Sequence, residues 1–502
     1  MDGKPTAEEE PGFGGDLTNP FVHHLELSGA YEKIKTAVLT VALLPLRVLI
    51  IAVLLVVAWC IAVIGLFGLS EDDLQKKPLS GWRRSLTKVL CLVSKTTYRV
   101  GGMKVTLKGR QATRAEAPIL VIAPHSTFLD AVIVYFTGYP SIIVRRESGL
   151  NPFIGKLINY TQPIYVWRLD PESRQETIRE IVQRTTSSVN WPQVLIFPEG
   201  TCTNRTCLIT FKHGAFCPGV PVQPVCIRYP NRLDTVTWTW EGPGALKLLW
   251  LTLTQIQSTC EIEFLPVYHP SPAEKADPKL YANNVRMVMA KALGVPVSDY
   301  TYDDCRLMRR ARRMLIPNYV GGLLVEIQRL RHRLGLQNGT EDLIKSLNGM
   351  SYDSSAWRVD INGFASYLNV SPSDSAVHQL FHLFDKESTG KIDLREYLLG
   401  VLAISKASTA EDIVQLAFQV FRDHRGGISV EDATSAMSLC FPRHEAMRLF
   451  QMADARGKGF VTYEEFRSCV SHLPEYGKMF SSYGRSWSSK TSDDIHLEKK
   501  IN

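Results

Sequence analysis

The hydrophobic and polar positions divide the chain into regions with different patterns. Residues 1–30 are mostly polar, with acidic and Gly/Pro-rich stretches, a composition typical of disorder. An almost wholly apolar segment runs from Ala37 to Leu69, and its part Val48–Leu69 contains no charged residue. That part is longer than the roughly 20 residues that a helix needs to cross a bilayer. The pattern therefore predicts a membrane anchor over residues 31–70.

The topology of this anchor has two alternatives. Pro45 and Arg47 interrupt the apolar run, so the segment forms either a single span or a helical hairpin bent at Pro45. A single span would place the two termini on opposite sides of the membrane, whereas a hairpin would leave both in the cytosol. Basic residues flank both sides of the segment, and the positive-inside rule therefore gives no preference.

Residues 71–300 alternate short β-rich runs with helical patterns. An amphipathic helix is predicted over Trp82–Arg99, and further helices over Ser173–Thr186 and Pro278–Leu293. The β-rich runs are residues 118–123, 140–145, 162–168, 193–200, 221–229 and 260–268. Because strands alternate with helices, the fold class predicted here is an α/β domain with a mostly parallel sheet.

The rest of the chain is predicted to be helical. Residues 301–345 form a basic helical connector, for which contact with anionic lipid is an alternative to simple solvation. Residues 346–478 have the pattern of helix–loop–helix pairs, and 479–502 form a tail that ends in the sequence KKIN. This ending matches the KKxx pattern that coat proteins read on cytosolic tails of endoplasmic-reticulum membrane proteins. It favours the endoplasmic reticulum, with the Golgi as the alternative, and a cytosolic orientation.

Composition narrows the choice of partners. Lys plus Arg number 57 against 50 for Asp plus Glu, a net charge of +7. This mild excess suits an anionic surface or an anionic substrate. It is too small and too scattered for nucleic acid, and no nucleic-acid-binding motif is present. The ten cysteines include no CxxC pair, which favours reduced thiols over a zinc module or a disulfide framework.

The first candidate for chemistry is the pair His125 and Asp130, within the segment HSTFLD (125–130). The spacing alone is a weak signal, but the pair stands where an apolar strand ends and a helix begins. Open α/β sheets place their ligand sites at such positions. Asp130 can hold one ring nitrogen of His125, which leaves the other nitrogen to accept a proton from a hydroxyl. No serine or cysteine nucleophile is needed if the substrate supplies its own alcohol.

Three further blocks place polar, basic or proline residues at the end or start of an apolar strand. In FPEGTCTNR (197–205) an apolar strand is followed by a polar turn that contains glycine. Backbone N–H groups and hydroxyls of such a turn can hold an anion, with Arg205 or Lys212 supplying charge. Another strand ends in Arg168, and VPVQPV (220–225) places two prolines at a strand start.

In order and spacing, these four blocks resemble the glycerophospholipid acyltransferase family. The longer phrases FPEGTCTNRTCLITFK (197–212) and RYPNRLDTVTWTW (228–240) are similar to those of the lysophosphatidylcholine acyltransferases. Type 2 and 2B members of that family, which the chain most resembles, also have an NPFV segment (here 19–22), one hydrophobic anchor and C-terminal EF-hands. The resemblance extends from residue 19 to about residue 478, and residues 71–300 would be the acyltransferase domain.

The resemblance implies an activity and a set of roles. The chain would transfer an acyl or acetyl group from acyl-CoA or acetyl-CoA to a lysophospholipid, either lysophosphatidylcholine or its ether-linked analogue. His125 would be the general base on the glycerol hydroxyl and Asp130 its partner. Substrate-binding residues would be Arg168, Glu199, Gly200, Thr201 and Arg205.

The segment from Asp385 to Glu396 has the frame of an EF-hand calcium loop, with Gly390 at position 6. Its metal-ligating positions are Asp385, Glu387, Thr389, Lys391 (through its carbonyl) and Glu396. Because Glu replaces Asp at position 3 and Thr is neutral at position 5, any Ca²⁺ binding is expected to be weak. Two later loops, 421–432 and 454–465, place cations at ligand positions and are predicted not to bind Ca²⁺.

Two alternatives stay open at this point. One is a lysophosphatidate acyltransferase, which differs only in the acceptor. The other is a membrane-anchored, calcium-responsive adaptor with an inactive enzyme domain. The intact pair His125 and Asp130, together with the FPEGTCTNR block, favours an active enzyme over the adaptor.

Overall fold

The computed structural model describes residues 19–27, 29–166, 173–314, 316, 318–336, 357–385, 388–474 and 476. The chain divides into a first unit, Met1–Ser298, and a second unit, Asp299–Asn502. Three features predicted from the sequence, namely Arg168, Glu387 and the tail 479–502, lie outside the described residues.

The predicted membrane anchor contains two consecutive helices, α1 (Ala30–Ala42) and α2 (Leu44–Leu66). Pro45 stands in the first turn of α2, where its missing N–H costs no helical hydrogen bond, and the break between the helices falls at Leu43. Among the described residues α2 is the one helix long and apolar enough to cross a membrane, and most of it is exposed. This apolar helix indicates association with a membrane. The choice between a single span and a hairpin stays a prediction.

A seven-stranded sheet forms the centre of the first unit, in the order β1-β7-β6-β2-β5-β3-β4. All neighbouring strands are parallel except β6 and β7, which confirms the predicted mostly parallel α/β sheet. The first strand, β1, was not predicted. The strands are β1 (Met103–Lys108), β2 (Ile119–Ala123), β3 (Ser141–Arg145), β4 (Ile164–Val166), β5 (Val194–Ile196), β6 (Val222–Arg228) and β7 (Ser258–Phe264).

Helices cover both faces of this sheet. The alternating side chains of β2 divide between two cores, with Ile119 and Val121 on one face and Leu120 and Ile122 on the other. The remaining helices of the first unit are α3 (Glu71–Lys76), α4 (Gly81–Val100), α5 (Val132–Phe136), α6 (Arg146–Gly149), α7 (Ile154–Asn159), α8 (Ser173–Thr186), α9 (Ala245–Leu253), α10 (Pro272–Ala276) and α11 (Pro278–Leu293). Short 3-10 turns occupy Phe128–Ala131 and His213–Ala215. The predicted helices 82–99, 173–186 and 278–293 are therefore present.

The N-terminal segment corrects one expectation. Residues 1–30 were predicted to be disordered, but residues 19–27 have a defined course and Phe21 is fully buried. The side-chain amide of Asn204 donates to the carbonyls of Asn19 and Val22, both at 2.9 Å. Composition missed this order because the ordered segment is short and follows a polar stretch, and it is fixed by one buried phenylalanine and a few hydrogen bonds.

The second unit is helical with two small antiparallel ladders. Strand β8 (Arg358–Val359) pairs with β9 (Ile392–Asp393), and β10 (Ile428–Ser429) pairs with β11 (Phe460–Val461). The helices are α12 (Tyr302–Arg313), α13 (Asn318–Arg333), α14 (Ile361–Leu368), α15 (Ser375–His382), α16 (Leu394–Lys406), α17 (Ala410–Phe421), α18 (Ala433–Ala436), α19 (Arg443–Ala453) and α20 (Tyr463–Ser471).

The region predicted as a basic connector contains α12 and α13. Their apolar side chains, such as Leu307 and Leu324, belong to the same hydrophobic core as Phe364 and Phe450. In the structure these helices are thus part of the second unit's core. Arg306, Arg312 and Arg313 are exposed, whereas Arg310 is partly buried and donates to the Ile404 carbonyl of α16. Helices α12 and α13 thus correct the predicted separate connector of residues 301–345, of which residues 337–345 lie outside the described residues.

Candidate active site

His125 and Asp130 lie together just beyond the carboxyl end of β2. The distance from His125 Nδ1 to Asp130 Oδ2 is 2.8 Å. Asp130 is fully buried in the 3-10 turn, and its Oδ2 also accepts the backbone N–H groups of Ser126 (2.8 Å) and Thr127 (3.0 Å). Three donors thus converge on one oxygen, which holds the carboxylate in a single orientation towards the imidazole.

Tyr229 completes the environment of Asp130 and was missed by the sequence interpretation. Its hydroxyl donates to Asp130 Oδ1 at 2.6 Å, from a position directly after β6. Burial, and then the Asp130 carboxylate, raises the pKa of Tyr229 well above its ordinary value, so the phenol stays a donor. The sequence pattern around RYPNRLD did not predict this contact, because Tyr229 lies 99 positions after Asp130 in the chain.

The imidazole of His125 is partly exposed and lies against an aromatic ring. Its side chain is 24% exposed, and its ring centroid is 4.3 Å from that of Phe197. Burial would lower the pKa of His125, but the nearby Cys202 sulfur and the Asp130 carboxylate outweigh it and raise that pKa well above its ordinary value. With Nδ1 directed to Asp130, Nε2 is the nitrogen that can exchange a proton with a substrate.

Glu199 holds the backbone of the turn at residues 125–130, which contains the candidate pair and is called the catalytic turn. Its carboxylate is fully buried and accepts the N–H of His125 at 2.6 Å. Burial raises the pKa of Glu199 to about 7. Thr203 adds a backbone hydrogen bond to the His125 carbonyl, at 2.7 Å. Glu199 was predicted to bind substrate, but a fully buried carboxyl that accepts this N–H favours positioning of His125 over direct contact with a phosphate.

Gly200 and Thr201 form the turn that follows β5. Gly200 has a φ of +71°, in the left-handed region that favours glycine. A Cβ at this position would lie 2.8 Å from Cε and Nζ of Lys212, so the lysine crosses directly over the glycine. Thr201 is largely buried. The turn therefore brings a cationic side chain close to backbone that an anion could approach.

Arg205 lies near the catalytic turn, in a network with Asp234. Its guanidinium donates to Asp234 Oδ2 at 2.5 Å and to Ser126 Oγ at 3.2 Å. Burial would raise the pKa of Asp234, but the Arg205 charge prevails and places it below its ordinary value. Arg205 thus buttresses Ser126, next to His125; its predicted role in substrate binding stays a prediction. Arg168 follows β4 in the chain, outside the described residues.

Of the predicted calcium residues that the structure describes, Asp385, Thr389 and Lys391 lie in the loop between α15 and α16. Asp385 Oδ1 accepts the N–H of Thr389 at 2.8 Å, and its Oδ2 accepts that of Gly390 at 3.0 Å. Lys391 precedes β9, and Glu396 stands in the first turn of α16. Within the described part of the chain, which lacks Glu387, no group of three or more His, Cys, Asp or Glu side chains could hold a metal ion.

The fold and the His125–Asp130 pair, with the polar turn after β5, define an acyltransferase. Residues 104–228 match the family model described as Acyltransferase, and this range contains both catalytic candidates and the whole FPEGTCTNR block.

The relatives found by sequence comparison narrow this class. The chain is 47% identical over 458 residues to "Lysophosphatidylcholine acyltransferase" of Drosophila melanogaster, covering 90% of this chain and 85% of that protein. It is 43% identical over 476 residues to "Lysophosphatidylcholine acyltransferase 2" of Homo sapiens, covering 94% and 86%. Identity to "Lysophosphatidylcholine acyltransferase 1" of Mus musculus is 45% over 468 residues, covering 92% and 86%. The chain belongs to the lysophosphatidylcholine acyltransferase family.

One solved structure also aligns with the chain. It is described as the 1-acyl-sn-glycerophosphate (LPA) acyltransferase PlsC from Thermotoga maritima, with 17% identity and a TM-score of 0.35. The alignment covers 53% of this chain and 100% of that chain. This likeness is too low to bear on the activity of this chain.

Proposed function

We propose that this acyltransferase moves an acyl or acetyl group from CoA to the free hydroxyl of a lysophospholipid, namely lysophosphatidylcholine or its ether-linked analogue. The observation that carries the proposal is the 2.8 Å contact between His125 Nδ1 and Asp130 Oδ2 at the carboxyl end of β2. The names of the relatives give the acceptor class. Acyl-CoA is the co-substrate that an acyltransferase of this kind uses.

The reaction begins with proton transfer to His125. Nε2 takes the proton of the glycerol hydroxyl as the oxygen attacks the thioester carbonyl, while Asp130 stabilises the imidazolium that forms. The tetrahedral intermediate then breaks its C–S bond, and the imidazolium returns the proton to the departing CoA sulfur. The products are the diacyl (or acyl-acetyl) phospholipid and CoA, and no covalent enzyme adduct forms.

The turn after β5 binds the phosphate of the acceptor in this proposal. The backbone N–H groups of Gly200 and Thr201 and the Lys212 ammonium would contact this phosphate. Arg168, which follows β4 in the sequence, would supply a second positive charge. Glu199 acts through the residue that it holds, whereas Arg205 both holds Ser126 and supplies positive charge for the acceptor phosphate. Glu199 fixes the His125 backbone, and Arg205 fixes Ser126.

We also propose that the enzyme resides in the endoplasmic-reticulum membrane, with the Golgi as the alternative, and that its active site faces the cytosol. The apolar helix α2 supports membrane residence. The C-terminal KKIN sequence supports recognition by coat proteins.

The second unit is proposed to be an EF-hand domain with, at most, one weak calcium site. Two antiparallel ladders join loop residues in the manner of paired EF-hand loops. One pairs Val359 with Ile392, and the other pairs Ile428 with Val461. Side-chain oxygens of Asp385, Glu387, Thr389 and Glu396, with the backbone carbonyl of Lys391, would hold the ion. Affinity is expected to be low because Glu stands at position 3 of the loop and the neutral Thr389 at position 5.

The test is an acceptor assay on membranes that contain the protein. Labelled acetyl-CoA or long-chain acyl-CoA is incubated with lysophosphatidylcholine, its ether analogue and lysophosphatidate, beside the His125→Ala variant as control. Activity with the choline lysolipids that disappears in the variant supports the proposal. Transfer to lysophosphatidate alone would instead identify a lysophosphatidate acyltransferase.

A further inference from the structure

Helix α9 (Ala245–Leu253) is apolar on its exposed side as well as on its buried side. Leu248 and Leu251 are 1% exposed and fill the core, but Leu246 is 84% exposed and Trp250 is 37% exposed. Just after the helix, Ile256 is 71% exposed. A helix on the surface of a water-soluble domain normally places polar residues on its outer side, so this pattern indicates an apolar neighbour.

The exposed side of α9 is continuous with the membrane anchor. The indole N–H of Trp250 donates to Thr40 Oγ1 of α1 at 2.9 Å. On α1 itself Val38 and Val41 are both exposed. Apolar side chains of α9 and of the anchor therefore form one surface, and a tryptophan that has an apolar body and a polar edge suits the boundary between acyl chains and headgroups.

Arg47 fixes α9 to the anchor. Its guanidinium is buried and donates to the carbonyls of Leu253 (2.7 Å), Gln255 (2.5 Å) and Ile256 (2.9 Å). A cation at the carboxyl end of a helix satisfies carbonyls that lack helical partners and interacts favourably with the helix dipole. Since Arg47 lies near the start of α2, α9 must stay at the level where the apolar helix begins.

We propose that α9 is a second membrane contact, inserted into the headgroup region of a phospholipid bilayer beside the anchor. Leu246, Leu249 and Ile256 reach the acyl chains, Trp250 lies at the boundary, and the exposed Lys247 contacts phosphate groups. Continuity with the anchor favours lipid over a second copy of the chain, because a partner protein on this face would have to displace lipid from α1 as well.

This contact lies close to the catalytic turn. Thr252 Oγ1 of α9 donates to the Thr235 carbonyl at 3.0 Å, and the N–H of Trp238 donates to the Ser126 carbonyl at 2.8 Å. The segment between β6 and α9 thus connects the bilayer contact to the residue next to His125. On the proposed function, this arrangement lets a lysophospholipid reach the base from the membrane without passing through water.

The proposal is tested by photocrosslinking of the full-length protein in phosphatidylcholine vesicles with labelled lipid. Benzoylphenylalanine replaces Leu249 on α9 or, as a control, Val288 on α11, which has similar exposure. Lipid labelling several-fold higher at 249 than at 288 is expected. Equal labelling, or a crosslink from 249 to a second protein chain, would overturn the proposal, and neither readout depends on enzymatic activity.

A kinetic test examines the link to the active site. The double variant Leu246→Gln with Leu249→Gln is compared with Met287→Gln and Val288→Gln on α11. The α9 variant is expected to raise KM several-fold for a lysolipid presented in vesicles, with kcat unchanged and with no effect on a monomeric short-chain lysolipid. An equal rise for both acceptors would contradict the proposal because it would place the defect in the active site. Absence of transfer to any lysolipid in the wild type would refute the proposed function and leave the crosslinking result standing.

Discussion

The catalytic turn of the first unit and the loop 454–465 of the second unit both hold an aspartate by backbone N–H groups. They differ in the side chain with which the local carboxylate pairs. In the loop, the oxygens of Asp454 accept the N–H groups of Lys458 and Gly459, both at 2.8 Å. Lys458 Nζ then reaches Glu465 at 2.6 Å, so the chain's own ammonium pairs with the carboxylate that would otherwise ligate calcium. In the catalytic turn, backbone N–H groups and the Tyr229 hydroxyl also hold Asp130, but a further partner is His125, whose charge can change.

Burial of the carboxylate distinguishes the candidate catalytic pair from the ion pair in the loop. Asp130 is fully buried, whereas the side chains of Lys458 and Glu465 are 27% and 36% exposed. A buried carboxylate interacts strongly with its partner because water does not screen it, and an exposed pair contributes little. The first arrangement involves a histidine that faces a possible substrate, whereas the second pairs two side chains within one loop.

The largest expected effect is a loss of acyl transfer when the catalytic turn is changed, with no loss when the loop 454–465 is changed. His125→Ala should lower kcat by about 10²–10⁴-fold, because general-base catalysis typically contributes that much. Asp454→Ala, the matched change in the loop, should leave kcat unaltered. Acyl transfer is measured at equal protein levels, with thermal unfolding to verify the fold. Comparable losses of kcat in the two variants would remove the distinction.

Asp130→Asn tests whether the charge of the buried carboxylate stabilises the protonated form of His125. The rate should fall about 10²-fold, as expected when a buried charged partner is lost. In the wild type, kcat/KM should rise with pH as His125 loses its proton, at a pH above the ordinary histidine pKa because that pKa is raised. Without the carboxylate the imidazolium is less stable, so the rising limb should move to lower pH. A limb that does not move would show that Asp130 does not act on His125.

Tyr229→Phe should give a smaller loss, about tenfold, because it removes one hydrogen bond to a carboxylate that keeps its other donors. The loss should fall in kcat, with KM for both substrates close to the wild-type value. A rise in KM without a change in kcat would instead indicate that the phenol binds substrate.

Lys458→Ala should have the smallest effect. The pair with Glu465 is partly exposed, so unfolding free energy should change by at most about 1 kcal/mol, and acyl transfer should be unchanged. Denaturant unfolding and calcium titration of the purified protein give the two readouts. Calcium binding at residues 454–465 in the wild type would contradict the interpretation that lysine replaces the ion.

Much of the fold could be predicted because its signals are local. Helices 173–186 and 278–293 have the predicted bounds, and the apolar runs around Ile119, Val194 and Val222 are the central strands. Strand β1 was missed because its sequence, MKVTLK, is half polar, as expected where a strand lies at the edge of the sheet.

The candidate catalytic pair could be found because only four residues separate His125 from Asp130. Tyr229 and Asp234 could not, since only the sheet brings the end of β6 beside the end of β2. The roles of Glu199 and Arg205 also depend on geometry, because a sequence indicates charge but not whether a carboxylate is buried against a backbone N–H.

The most direct test of direct transfer is the rate of CoA release from acyl-CoA in a rapid-quench experiment without acceptor lipid. If His125 activates the acceptor's own hydroxyl, no burst of CoA should occur until lysophospholipid is added. A burst stoichiometric with enzyme, with the acyl group bound to the protein, would contradict this account. It would point to a covalent route through a protein nucleophile such as Cys202, whose sulfur lies near His125.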